Sequence, residues 1–255
     1  MAKSPDQGPP FYVGYLPLPP AIRRFILPWV AGNLVLVMAV AVAIASQQRD
    51  PGDGVWDTGQ AVTIHGLVVI DPYPRLVVLD QQGKNTTTVL PVEQGKIGSQ
   101  ERLAPFTGQT VALTGYRIER NGFRVLEIDS TAEVKLVEPP TAIEVLQQPI
   151  DLGRHELVGE IVDPKCYFGV MKPGDGKPHK ICATLCITGG IPPVFIVRDA
   201  AGQTTAYLLT GPSGEAMPEQ YYGYIADPIR LTGRVLRREG QLVLRADWSS
   251  LIRLE

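Results

Sequence analysis

Residues 111–129, VALTGYRIERNGFRVLEID, lie without a gap on residues 229–247, IRLTGRVLRREGQLVLRAD. Eight of the nineteen positions are identical, and the offset is 118 residues. In each copy an apolar-rich run is followed by a two-residue turn, Asn121-Gly122 or Glu239-Gly240, and a second such run. Alternating apolar residues suit a half-buried strand, and a turn that tolerates positive φ suits a tight hairpin. The stretch therefore predicts one strand–turn–strand unit present twice, and hence a duplicated β-domain.

The match extends upstream. Val62–Pro72 (VTIHGLVVIDP) resembles Glu156–Pro164 (ELVGEIVDP), each a strand with a glycine midway and an Asp-Pro end. A glycine inside a strand marks a bulge or sharp bend, as a small closed barrel requires. Arg75–Asp80 then pairs with Pro193–Asp199, and Thr86–Leu90 with Thr204–Leu209. Each copy thus has three strands, a longer connection with room for a short helix (Pro91–Phe106, Gly211–Ala226), and two more strands. That order resembles the OB-fold, a five-stranded Greek-key barrel, over roughly Gly59–Val137 and Gly153–Leu254. A pair of small β-sandwiches is the rival architecture. The expected fold class is mainly β: one N-terminal transmembrane helix followed by two tandem OB-like barrels.

Composition agrees. The chain has 255 residues, with 26 Gly and 23 Pro, which suits many short strands and turns and not a helical bundle. Lys+Arg 24 against Asp+Glu 26 gives a formal charge of −2, without the basic excess of a phosphate-backbone binder, so no nucleic-acid partner is expected.

Phe25 to Gln48 contains no charged residue, and Leu34–Ala45 is almost wholly aliphatic. About 20 such residues cross the hydrocarbon core of a bilayer. Lys3, Arg23 and Arg24 precede the span and only Arg49 closely follows, so the positive-inside rule puts the N-terminus in the cytoplasm and the rest outside. Tyr15 and Trp29 suit the membrane interface. A cleaved signal peptide is the alternative, since Ala43-Ile-Ala45 resembles a cleavage site, but the stretch exceeds an ordinary h-region. The expected organisation is a Pro-rich cytoplasmic arm (1–24), a transmembrane helix (25–48), a linker (49–58), barrel 1 (59–137), a linker (138–152) and barrel 2 (153–255).

The copies differ in one place. Barrel 2 carries a segment of about thirty residues, 163–193 (DPKCYFGVMKPGDGKPHKICATLCITGGIPP), between its first two strands. Loops of that length are uncommon unless they carry function. The segment holds all three cysteines of the chain, Cys166, Cys182 and Cys186, and one of its three histidines, His179. His179, Cys182 and Cys186 fall at i, i+3 and i+7, one face of a helix that should end before Gly189-Gly190. Cys166 arrives from the strand end. Together they form a Cys₃His set, enough to close a four-coordinate site. Soft thiolates point to copper, zinc or an iron–sulfur cluster. Met171 is a weaker thioether candidate, more naturally a packing residue. A structural disulfide and a redox-active thiol pair compete with the metal reading, because thiols outside the cytoplasm tend to oxidise. The Cys/His segment is similar to that of bacterial membrane-anchored proteins without an assigned role, and the similarity implies no catalytic residue.

Other residues have plain readings. His65 and His155 read as partly exposed strand residues, and Tyr221-Tyr-Gly-Tyr224 as packing between connection and barrel. Lys172, Lys177 and Lys180 make the inserted segment locally basic, suited to docking an acidic partner, lowering thiol pKa values or simply solvating a loop. No nucleophile–base pair, carboxylate pair, phosphate loop or nucleotide fingerprint occurs, so a non-enzymatic role is expected. The expectation is a periplasmic accessory or electron-transfer subunit of a respiratory or photosynthetic complex of the bacterial inner membrane. Its partners would be the lipid bilayer and other subunits of that complex. A metallochaperone or thiol assembly factor, and a scaffold stapled by a disulfide, are the alternatives.

Overall fold

The computed structural model describes residues 19–47, 54–79, 85–137, 146, 148–169 and 171–254. Residues 1–18 of the expected N-terminal arm therefore lie outside the described residues, as do 49–53 of the first expected linker and 138–145 and 147 of the second. The chain divides into two compact units, Met1–Pro51 and Gly52–Glu255.

The first unit contributes one helix, α1 (Pro20–Gln47), whose 28 residues span about 42 Å at 1.5 Å each. It is long and apolar enough to cross a membrane, and none of its residues is buried. It begins five residues before the expected start at Phe25. Proline suits the first helical position, where its fixed φ is already helical and its missing N–H would have no partner. Arg23 and Arg24 are consequently helical.

In the second unit, barrel 1 comprises β1 (Gly54–Trp56), β2 (Val62–Val69), β3 (Arg75–Leu79), β4 (Thr86–Val92), α2 (Gln100–Leu103) with a 3₁₀ turn at Ala104–Phe106, β5 (Thr110–Arg120), β6 (Phe123–Ile128) and β7 (Lys135–Leu136). β2 pairs with β3, β3 with β4, β4 with β6, β6 with β5, and β5 with β2, which closes the barrel. Only the β4–β6 pairing within that ring is parallel. Two strands extend this scheme beyond the expected five. β1 pairs with β5 inside the expected 49–58 linker, and β7 also pairs with β5.

Barrel 2 comprises β8 (Ile150–Val162), α3 (Pro164–Phe168), α4 (Gly176–Thr188), β9 (Val194–Arg198), β10 (Thr204–Thr210), a 3₁₀ turn at Glu219–Tyr224, β11 (Ile229–Arg238) and β12 (Gln241–Arg253). It closes in the order β10-β12-β11-β8-β9, again with its third and fifth strands, β10 and β12, parallel. Both barrels thus have the connectivity expected of the duplicated five-stranded unit, with the short helical turns between third and fourth strands. β8 starts at Ile150, so the end of the expected 138–152 linker is strand.

Both hairpin turns take positive φ at both residues: 51° and 77° at Asn121 and Gly122, 41° and 74° at Glu239 and Gly240. This is the turn whose twist matches its strands. Each barrel has its own core, one around Leu76, Leu113 and Ile128, the other around Phe195, Leu231 and Leu244. A third cluster joins them. It runs from Tyr73, Leu90, Ile118 and Phe123 of barrel 1 to Val162, Phe168, Cys186 and Leu236 of barrel 2. Phe123 and Phe168 stack with ring centroids 4.4 Å apart. The barrels are therefore two halves of one packed body.

Candidate metal centre

The inserted segment folds as two helices laid across this seam. α3 begins with Asp163 as N-cap and Pro164 as first helical residue, a combination that supplies one side-chain acceptor and removes one orphan donor. The cap bond runs from the Cys166 N–H to Asp163 Oδ1 at 2.8 Å and fixes where Cys166 sits. α4 begins after Asp175. That carboxylate does not cap the helix but pairs with Arg198, while the Gly176 N–H donates to Glu160 Oε2 at 2.9 Å. Burial raises the Glu160 pKa above the usual carboxylate range, against the lowering effect of that hydrogen bond. α4 ends as expected, with Gly190 at φ 93° just beyond its last turn.

The four expected residues fall into two overlapping groups. The ligand atoms of Cys166, His179 and Cys182 lie within 4.8 Å of one another. Those of Asp163, Cys166 and Cys186 do the same. Cys166 is the corner common to both groups. The Cys166 and Cys182 sulfurs are 3.9 Å apart. That is far beyond the roughly 2.05 Å of a disulfide. It is close to the ~3.8 Å that tetrahedral geometry sets between sulfurs at zinc–sulfur distances of about 2.3 Å. All three cysteines are free thiols. His179 and Cys186 are buried, and Cys166 and Cys182 are half-buried.

Two residues of the site were not read from the sequence. Asp163 Oδ2 lies 3.1 Å from His179 Nε2 and is itself fully buried. With Nε2 held there, the other ring nitrogen is left for a ligand bond, the carboxylate–histidine arrangement found behind metal-bound imidazoles. Lys96 comes from barrel 1, in the connection between β4 and α2. Its Nζ donates to Cys182 Sγ at 2.7 Å and approaches Cys186 Sγ at 3.8 Å. The lysines singled out in the inserted segment do not do this. Lys180 pairs with Asp227 at 2.7 Å, and Lys172 and Lys177 are exposed.

Barrel 1 is held against the site by backbone contacts. The Gly98 N–H donates to the Gly189 carbonyl at 2.8 Å. A Cβ on Gly189 would overlap the Lys96 carbonyl oxygen, so only glycine permits that approach. Lys165 of α3 donates to the carbonyls of Glu93 and Gly95 at 2.9 and 2.8 Å, and its ammonium pairs with Glu127 at 2.7 Å. Arg120 of β5 donates to the Phe168 and Gly169 carbonyls at 3.3 and 2.8 Å.

The electrostatics push two of the thiols in opposite directions. Cys166 and Cys186 are coupled through a thiol–thiol hydrogen bond. That bond lowers the pKa of Cys186, helped by the charge of Lys96 and opposed by burial. The same bond, then burial and the Asp163 carboxylate, raise that of Cys166. The hydrogen bond to Cys182 in turn raises the pKa of Lys96. A Cys₃His set on a divalent ion carries one negative charge, and the Lys96 ammonium is placed to offset it.

The remaining candidates fall outside the cluster. Met171 is exposed and does not pack as expected, because its segment turns out to solvent before α4. His65 and His155 are exposed strand residues. Tyr221 stacks on Trp248 at 4.7 Å, which is the packing role read for that tyrosine run. Comparison with protein-family models, with curated proteins and with solved structures finds no match for this chain.

Proposed function

We propose that the chain is a membrane-tethered metal-binding module, with Cys166, His179, Cys182 and Cys186 holding one soft metal ion between its two barrels. The observation that carries this reading is the mutual approach, within 4.8 Å, of the Cys166, His179 and Cys182 ligand atoms, with Asp163 behind the imidazole. In this reading Cys186, which is grouped with Cys166 and Asp163, completes the set as fourth ligand and leaves no open position. Such a closed site suits holding an ion or passing single electrons and does not suit activating water. The thiolates select zinc, copper(I) or iron–sulfur over hard cations. The charge asymmetry around α1 supports an inner-membrane anchor with the barrels on the periplasmic side. A fixed site on a fixed tether suits an accessory or electron-transfer subunit of a membrane bioenergetic complex.

The test is elemental analysis and absorption spectroscopy of the full chain purified in mild detergent under reducing conditions. About one ion per chain is expected, lost in Cys166→Ser and His179→Ala. Full-length protein free of metal, with its thiols paired, would replace this reading by a stapling or redox disulfide. The 3.9 Å approach of Cys166 to Cys182 favours that pair as the alternative. Co-purification of stoichiometric partners would separate a resident subunit from a metallochaperone.

A further inference from the structure

A cleft of about 250 Å³ opens between the barrels, and none of its lining residues belongs to the Cys/His cluster. Arg75 of β3, Arg238 of β11 and Arg245 of β12 all line it. Arg75 is only 3% exposed. Its Nη1 donates to the Asp71 carbonyl at 3.1 Å. Its Nε and Nη2 are buried without a hydrogen-bond partner among the described residues. Those two nitrogens form one edge of the planar guanidinium, the edge that engages an oxyanion through two parallel N–H···O bonds. Leaving such an edge buried and unpaired is costly. Burial, and then the neighbouring Arg238, lower the Arg75 pKa to about 10, so the group stays cationic at neutral pH.

The charges around it do not cancel it through direct contacts. Arg238 Nε lies 3.3 Å from the buried Glu239 Oε2 without forming a hydrogen bond, and this carboxylate is a charge neighbour of Arg75 as well, at longer range. The half-buried side chain of Arg245 makes no ion pair or hydrogen bond among the described residues. The carboxylates on the lining itself, Asp71 and Glu215, are exposed residues of its rim, and Glu215 already accepts from the Ser213 N–H at 2.9 Å. Two guanidinium groups, Arg75 and Arg245, are thus left without an ion-pair partner among the described residues, at a cleft larger than a single oxyanion.

We propose that this cleft binds a phosphate-bearing ligand, with the Nε/Nη2 edge of Arg75 taking two phosphate oxygens and Arg245 a third. Two unmatched cations suit a dianion better than a monocarboxylate, and the remaining volume accommodates a small organic substituent. The site is independent of the metal reading, because no Cys/His ligand lines it.

The test is calorimetric titration of the full chain in detergent, at constant ionic strength, with sodium phosphate, glycerol phosphate or sodium acetate. Saturable binding of either phosphate is expected, with acetate at least tenfold weaker. A preference for glycerol phosphate identifies an organic phosphate as the occupant, and equal binding identifies the free ion. Arg245→Gln, at a half-buried position, should weaken phosphate binding at least tenfold without changing metal content. Glu239→Gln removes the competing carboxylate and should tighten binding severalfold, an effect that a folding defect does not imitate. Absence of saturable binding overturns the proposal, as does affinity unchanged in both variants. Acetate binding as well as phosphate overturns the assignment of a dianion.

Discussion

Asp163 serves two neighbours with its two oxygens, capping α3 through the Cys166 N–H and holding the His179 ring. The roles are separable. Asn is as good an N-cap as Asp but does not provide a carboxylate. Asp163→Asn should leave thermal stability nearly unchanged while weakening metal binding about 10–100-fold in competition with a chelator. Asp163→Ala should lose both, with about 1 kcal/mol of stability gone with the cap. Glu239 gives a pH-dependent counterpart. Burial raises its pKa against the lowering effect of Arg75 and Arg238. The folded state therefore holds a proton that the unfolded chain has already released. Stability should fall as pH rises from the ordinary carboxylate range through the raised value. Thermal unfolding across pH 4–8 should show that decline, and Glu239→Gln should flatten it. At this scale the sequence was legible where residue types are scarce. Three cysteines and a histidine in one segment stand out, whereas Asp163 repeats the Asp71-Pro72 ending of the other copy. Lys96 meets Cys182 across 86 residues of chain, and nothing local marks it.

The connection between β4 and α2 acts as a backbone cover for the thiols. Its distance from α4 is set by glycines that are not ligands. Gly189 has an ordinary helical-side conformation (φ −76°, ψ 4°), so alanine there meets only a steric obstacle, the Lys96 carbonyl. Gly189→Ala should displace the cover, cost about 1–3 kcal/mol and weaken metal binding, read by denaturation and chelator competition. Gly59→Ala is the control. A Cβ there meets nothing closer than Asp57 Oδ1 at 3.6 Å, and stability should stay within about 0.5 kcal/mol. The strands of the duplicated unit were readable because Asn121-Gly122 and Glu239-Gly240 frame alternating runs that match across the copies. β1 was not, since Gly54–Trp56 is three residues long and gains its strand character from pairing with β5. The early start of α1 at Pro20 was missed for a related reason: charge marked the end of the apolar run, but not the end of the helix.

At the level of the whole two-barrel unit, the seam between barrels is as much a core as either interior. Phe168 is fully buried there and stacks on Phe123 of the other barrel. Phe168→Ala should cost about 3–5 kcal/mol. The two barrels should unfold in one calorimetric transition, at a lower temperature in that variant. Two separated transitions in the wild-type chain would show that the seam does not couple them. The sequence divided this unit correctly into two similar halves. It gave no sign that they share a core, because strand alternation shows which residues turn inward without showing which neighbour they meet.

Because Lys96, Lys165 and Arg120 stitch one copy to the other, the fused pair has become asymmetric in a way that evolution would find hard to reverse. Swapping either half for its counterpart in a distant cousin would import a mismatched joint. Inheritance should therefore keep the two halves travelling together, and compensating substitutions should appear on both sides of the joint at once.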